Sequence, residues 1–218
     1  MRQDACMEIR VDDGSVRTIR GVLFDMDGTI VDSGASTVRT WTQWAERMGV
    51  ADRLEILHGQ PAIETVRALF PNATPEELAE LCADQTVAER EDLDGVVAMP
   101  GAHDLFAFLE ENGIPWAVVT SADLLLAQAR LGSAAITPPI LVTCEDITHG
   151  KPHPEPFLLG ASLIGIDITE CVVVEDAPAG VHAGVASGAV TAALNGHEAT
   201  VGIRDLVHLR ELLAQHFG

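Results

Sequence analysis

The sequence predicts an α/β fold, a Rossmann-like parallel sheet core that carries an inserted helical cap domain. Three observations lead there. Five short apolar runs rich in Val, Ile and Leu are spread along the chain, and segments of helical period separate the last four. Between the first and second runs, from about residue 36 to residue 90, only helical signals occur. Several runs then stop at residues with chemistry: Asp25 after the first, Thr120 after the second, Glu175 after the fourth. Open α/β sheets bind ligands at the carboxyl ends of their strands.

The elements follow in order. Residues 7–11 and 16–20 flank Asp12-Asp13-Gly14, which reads as a short hairpin or a loose arm, so 1–20 is an N-terminal extension. Residues 22–24 are the first strand. Val38, Trp41, Ala45 and Met48 share one helical face, and Gly49 ends that helix. Pro61 opens a second helix with Ile63, Val66 and Phe70. Thr74-Pro75-Glu76-Glu77 is a capping box with proline at the first helical position. These helices form an insert over 34–98, with hinges at Ser33-Gly34 and 97–101. The core is then 21–33 and 99–218. An insert directly after a strand end is placed to act as a lid.

The remaining strands are expected at 116–119, 140–142, 171–174 and 189–192. Leu105 and Leu109 share a helix face before Gly113, and Phe157, Leu158 and Ile164 lie before Gly165. Gly180, Gly184 and Gly188 recur every four residues. The segment is too short and polar to span a membrane, so close packing of a helix on the sheet is the better reading.

Composition bounds the partners. With 218 residues, 47% of them hydrophobic, the chain supports one large domain or one domain with a smaller insert. A net charge of −20 repels nucleic acid and anionic membrane. It repels a phosphorylated metabolite as well, so an anion site needs a metal or a placed cation. Cys6, Cys82, Cys144 and Cys171 form no CxxC pair and read as reduced thiols. The acidic N-terminal stretch is no signal peptide, and no apolar run reaches the ~20 residues of a membrane span. A cytoplasmic monomer or weak dimer is expected.

Four constellations carry chemistry. In the first, Asp25, Met26, Asp27, Gly28 and Thr29 end the first strand. Two carboxylates one residue apart leave the chain in different directions and suit two jobs. Asp25 would be the nucleophile that takes a phosphoryl group, and Asp27 the acid that protonates the leaving alkoxide and later the base for water; the other reading is a loop in which Asp27 caps a helix and Asp25 is a surface charge. Gly28 and Thr29 would turn backbone N–H groups toward phosphate. The second is Thr120-Ser121, whose hydroxyls can donate to a phosphoryl oxygen. Taken alone, they read equally well as an N-cap for the helix after Ala122. The third is Lys151, framed by Gly150, Pro152 and Pro154 and alone of its kind among 13 Lys and Arg residues. A compact ammonium suits a phosphate as a point charge. The fourth is Glu175-Asp176, two acids that with Asp25 can hold Mg²⁺. Asp176 also reads as a cap for the helix that Pro178 begins. His149 and His153 are four apart, but Gly150, Pro152 and Pro154 forbid a helix between them, and no zinc site is expected. His58-Gly59-Gln60 sits between two helices of the insert, where it can reach down to a substrate.

In this order, the stretches DMDGT, VTS, GKPHPEPF and VVVEDAPAGVHAG resemble the haloacid dehalogenase superfamily, in its branch with an α-helical (C1) cap. HGQPAIETVR and CVVVEDAPAG are similar to the sugar-phosphate and polyol-phosphate phosphatases within it. These include 2-deoxyglucose-6-phosphate and glycerol-phosphate phosphatases. The resemblance implies Mg²⁺-dependent hydrolysis of a small phosphomonoester through an aspartyl-phosphate. It assigns Asp25 as nucleophile and Asp27 as acid/base. Thr120 or Ser121 with Lys151 would hold the phosphoryl group. Asp25, Asp176 and the carbonyl of Asp27 would hold the metal, and Glu175 would orient a water on it. His58, Gln60, Trp41, Trp44 and Arg67 are the cap residues expected to select substrate. A β-phosphoglucomutase-like phosphomutase is the alternative, with Arg53 or Arg67 gripping a distal phosphate. A dehalogenase proper would need neither Asp27 nor Asp176. An acidic protein that only holds a cation has no use for all four motif residues together.

Overall fold

The computed structural model describes residues 6–56 and 61–215. Six parallel strands form the central sheet, in the order β10-β9-β8-β3-β6-β7. They are β3 (Gly21–Phe24), β6 (Trp116–Val119), β7 (Leu141–Val142), β8 (Cys171–Glu175), β9 (Val190–Ala193) and β10 (Val201–Gly202). The first five match the predicted runs to within about a residue. β10 was not predicted, since two paired residues at a sheet edge carry no periodicity. The parallel sheet with flanking helices is the predicted fold class.

Every residue of β3, β6 and β8 is buried, which explains their unbroken apolar sequences. Alternate residues serve opposite faces. Val22, Phe24, Trp116, Val118, Val172 and Val174 pack with α4 (Ala102–Glu111), α5 (Leu124–Ser133) and α8 (Leu206–Ala214). Phe106 stacks on Trp116 at 4.4 Å, and Phe24 meets both rings edge-on. Leu23, Ala117, Val119 and Val173 face α6 (Glu155–Ile164) and α7 (Pro178–Ser187). On α6 only part of the expected face is buried: Phe157 is inside, whereas Leu158 is exposed.

The start of the described chain is no loose arm. β1 (Met7–Arg10) pairs antiparallel with β2 (Val16–Ile19), and Met7, Ile9, Val11 and Ile19 are buried in the first-face core. Between β4 (Val31–Asp32) and β5 (Val97–Ala98) lies the helical insert. These two short strands, also missed in the sequence, pair antiparallel with each other. α1 (Gly34–Arg47), α2 (Ala62–Leu69) and α3 (Pro75–Glu91) build a separate core from Trp41, Trp44, Ala45, Val50, Val66, Leu69 and Leu78. Val38, expected on the inner face of α1, is exposed. The Thr74 capping box is present, with Thr74 and Glu77 each accepting the other's backbone N–H.

The glycine spacing on α7 divides into two jobs. Gly180 and Gly184 are buried against the sheet, where a Cβ on Gly184 would meet Val173 and Thr191. Gly188 instead ends the helix in the left-handed region, at φ +88°. Among the described residues no helix is long and apolar enough to cross a membrane, and all four cysteines are unpaired.

Candidate active site

Strand β3 lies between β6 and β8, so three of the four motifs meet by topology alone. Phe24 pairs in register with Val118 and Val174, which brings Asp25 level with Val119 and Glu175. Asp25 is 5% exposed and sits on the floor of a cavity of about 410 Å³. Lys151 reaches it from the loop before α6. Its Nζ donates to Asp25 Oδ1 at 2.5 Å, to Glu175 Oε1 at 2.7 Å and to the Val119 carbonyl at 3.1 Å. Phe157 lies beneath the ammonium, 4.9 Å from its ring centre. All three donors of this buried lysine are thereby used, and two carboxylates hold its charge above the ordinary lysine range despite burial.

Glu175 is fully buried, and protein groups take both of its oxygens. Oε1 accepts from Lys151, and Oε2 accepts the N–H groups of Asp176 and Ala177 at 3.0 and 3.1 Å. The structure thus ties Glu175 to the placement of Lys151. Room for that carboxylate comes from Gly180, where a Cβ would fall inside it.

Asp176 accepts from Thr29 Oγ1 at 3.1 Å. It does not cap α7, whose N-cap is Ala177. Burial first, then the charge of Asp25, pushes the Asp176 carboxyl up to about 7. Asp25 is also raised, by burial first and then by Glu175, with Lys151 opposing. Carboxylate oxygens of Asp25, Glu175 and Asp176 lie within 4.8 Å of one another. Asp25 and Asp176, crowded until both bind protons more tightly than free carboxylates, suit a hard divalent cation with oxygen ligands, and Mg²⁺ fits these donors.

Gly28 and Thr29 differ from expectation. Their N–H groups donate to the carbonyls of Val31 and Met26, at 2.8 and 3.3 Å, and are not presented to a phosphate. Gly28 is needed for its φ of +82° and because a side chain would strike Asp176. Thr29 holds Asp176. Thr120 and Ser121 both line the cavity. Thr120 Oγ1 accepts from the Ala122 N–H at 3.1 Å, which leaves its proton to donate. The N-cap of α5 is Asp123, accepting from Leu126, so neither hydroxyl caps that helix.

Asp27 is held from two sides. Ser33 Oγ donates to Oδ1 at 2.6 Å, and Arg130 Nη1 lies 2.9 Å from Oδ2. Arg130 and its partner Glu89 line the same cavity and were missed by sequence reasoning. A signal was there: Arg130 falls on the apolar face of α5, with Leu126, Ala127 and Leu131. Glu89 likewise shares the inner face of α3 with Leu78, Gln85 and Thr86.

The cap residues divide. Trp41 lines the cavity. Trp44 does not, being fully buried against Trp41 and Phe70 in the core of the insert. Arg67 is exposed and pairs with Glu64 at 2.5 Å. Arg53 donates to the Leu69 carbonyl and lines a different hollow. His58 and Gln60 lie outside the described residues. No helix joins His149 and His153, as expected; their loop sets the two rings 4.8 Å apart, centre to centre, beside Glu155 at the surface.

Comparison with known proteins agrees with this geometry. The sequence profile described as "Hydrolase: haloacid dehalogenase-like hydrolase" matches residues 19–188. The chain is 42% identical over 179 residues to hexitol phosphatase A of Escherichia coli strain K12, covering 81% of this chain and 83% of that protein. It is 33% identical over 185 residues to glycerol-1-phosphate phosphohydrolase 2 of Saccharomyces cerevisiae, covering 78% of this chain and 72% of that protein. Among solved structures, β-phosphoglucomutase from Clostridium difficile superposes with a TM-score of 0.79 at 19% identity, covering 90% of this chain and 98% of that chain. At that identity the likeness shows a shared fold.

Proposed function

The chain belongs to the haloacid dehalogenase-like hydrolases, and on that premise we propose that it is a phosphatase hydrolysing a sugar or polyol monophosphate through an aspartyl-phosphate on Asp25. One observation carries the reading: a buried aspartate, gripped by the chain's only lysine, in the lining of a large cavity. A buried ion pair so placed is not needed for stability, because apolar side chains of similar volume are often as stable or more so.

Asp25 attacks phosphorus, and the bond to the leaving oxygen breaks. Asp27 gives that oxygen its proton, so an alcohol departs. Asp27 then takes a proton from water as the water attacks the acyl phosphate, which frees phosphate and restores Asp25. Lys151 offsets the negative charge of both reacting groups, with Glu175 fixing its position. Thr120 and Ser121 donate to phosphoryl oxygens. Mg²⁺, held by Asp25, Asp176 and the Asp27 carbonyl, would supply further charge compensation at the phosphoryl group. Residues 34–98 act as the cap that excludes water and selects the alcohol. Thr37, Thr65 and Thr86 line that cavity beside Trp41, Ile56 and Ile63, a mixed wall suited to a polyol chain.

The phosphomutase alternative is less well supported. Among the described residues the cavity has one arginine, Arg130, and Asp27 and Glu89 both claim it. Arg53 and Arg67, the expected grips for a distal phosphate, point elsewhere. The test is phosphate release from a panel of hexitol, glycerol and hexose monophosphates with Mg²⁺. Asp25→Asn should abolish turnover and leave the fold intact by circular dichroism. A fully active Asp25→Asn ends the mechanism, and isomerisation of glucose 1-phosphate without phosphate release favours the mutase.

A further inference from the structure

We propose that Arg130 is a positioning residue that couples the acid/base Asp27 to the cap helices, so that cap position and acid/base position change together. The proposal rests on the phosphatase reading above. Arg130 lies on α5, in the core, with a side chain only 4% exposed. Its Nη1 meets Asp27 Oδ2 at 2.9 Å. Its Nη2 donates to Glu89 Oε1 at 2.7 Å and to Thr37 Oγ1 at 2.9 Å. Glu89 belongs to α3 and Thr37 to α1. One guanidinium therefore joins the loop carrying Asp27 to two helices of the insert.

The other oxygen of Asp27 is also tied to the insert. Ser33, which holds it at 2.6 Å, is the residue at which the chain leaves the core for α1. Both fixings of Asp27 thus respond to where the insert sits. Stability alone does not call for this arrangement. A buried ion pair is often no better for stability than apolar side chains of the same volume, but it specifies geometry. The rigid fork of arginine lets one side chain serve two carboxylates in fixed directions.

The coupling follows from sharing. With α1 and α3 in place, Arg130 divides its donors between Glu89, Thr37 and Asp27, and Asp27 is set at one point above Asp25. When the helices withdraw, Arg130 loses two of three partners and turns wholly to Asp27. The carboxylate is then drawn along α5 and away from the leaving oxygen. Acid catalysis becomes available when the cap covers the cavity.

A leaving-group comparison tests this. An alkoxide needs a proton from Asp27 to depart, whereas p-nitrophenolate leaves without one, and kcat/KM reports the step in which they leave. Arg130→Gln and Glu89→Gln should each lower kcat/KM for glycerol 1-phosphate at least tenfold more than for p-nitrophenyl phosphate. Arg130→Lys should recover part of the loss, and the double variant should be no worse than Arg130→Gln. Equal loss on both esters in Arg130→Gln, or an unchanged ratio in Glu89→Gln, overturns the coupling. Glu89→Gln keeps the test valid should Arg130→Gln fold poorly. A wild-type protein silent on both esters refutes the phosphatase reading instead. In that case amide exchange of residues 25–33 decides the coupling, which stands if Glu89→Gln alters it and falls if it does not.

Discussion

Replacing Gly180 by alanine adds one methyl group and should unseat the lysine of the active site. Gly180 lies on the first turn of α7, and its missing side chain is the space that the Glu175 carboxylate fills. The carboxylate cannot stay, and it is anchored by three bonds: Lys151 at 2.7 Å and the backbone N–H groups of Asp176 and Ala177 at 3.0 and 3.1 Å. Displacing it loses two neutral-donor bonds at about 1 kcal/mol each and a charged pair bond at about 2 kcal/mol. Alanine returns about 1 kcal/mol of helix propensity. The net cost is about 3 kcal/mol, large against the ~5–15 kcal/mol that holds a domain folded but not enough to unfold it. Urea denaturation measures it as a lowered midpoint at unchanged slope. Phosphate release should fall with it, because Lys151 loses the acceptor that aims it at Asp25. Gly132→Ala is the control: this exposed helical glycine of α5 has nothing within 4 Å, and alanine there should stabilise by up to about 1 kcal/mol. A Gly180→Ala protein within about 0.5 kcal/mol of wild type and fully active refutes the assignment of Glu175.

The crowded carboxylates predict a pH effect of definite sign. Asp176, raised from 3.8 to about 7, binds a proton more tightly folded than unfolded. Its contribution to stability is therefore complete below about pH 4 and is lost as pH rises through about 7. Metal-free protein should show a urea midpoint that declines over that window, Mg²⁺ should restore it at pH 8, and Asp176→Asn should diminish both effects. The lowered carboxylates Asp13, Asp92, Glu155 and Asp167 act oppositely, losing their contribution as pH falls into the acid range, so the two behaviours separate. Ile9→Ala should cost ~2–5 kcal/mol in denaturation, since Ile9 is fully buried in the main core. A loss under 1 kcal/mol would make β1 and β2 a loose arm, one of the two readings that the sequence offers.

The sequence by itself determined the parallel sheet, and it showed the helical stretch after the first sheet strand and the acids and hydroxyls at strand ends. These are local properties: an apolar run buried on both faces reads as a strand, and an acid or hydroxyl at its end reads as a site. The strand-end pair Asp25 and Asp27 was legible for the same reason. What each carboxylate touches was decided only by tertiary structure. Asp25 and Glu175 meet because β3 pairs with β8, and Gly180 matters because the Glu175 carboxylate fills the space of its missing side chain. Arg130 shows the limit most clearly. Its partners Thr37 and Glu89 lie 93 and 41 residues away, on helices whose period told which face was inward but not what waited there. Trp44 and Arg67 failed as substrate contacts on the same account, because a helix position fixes a direction, and only packing decides whether that direction ends in a core, in solvent or in the cavity.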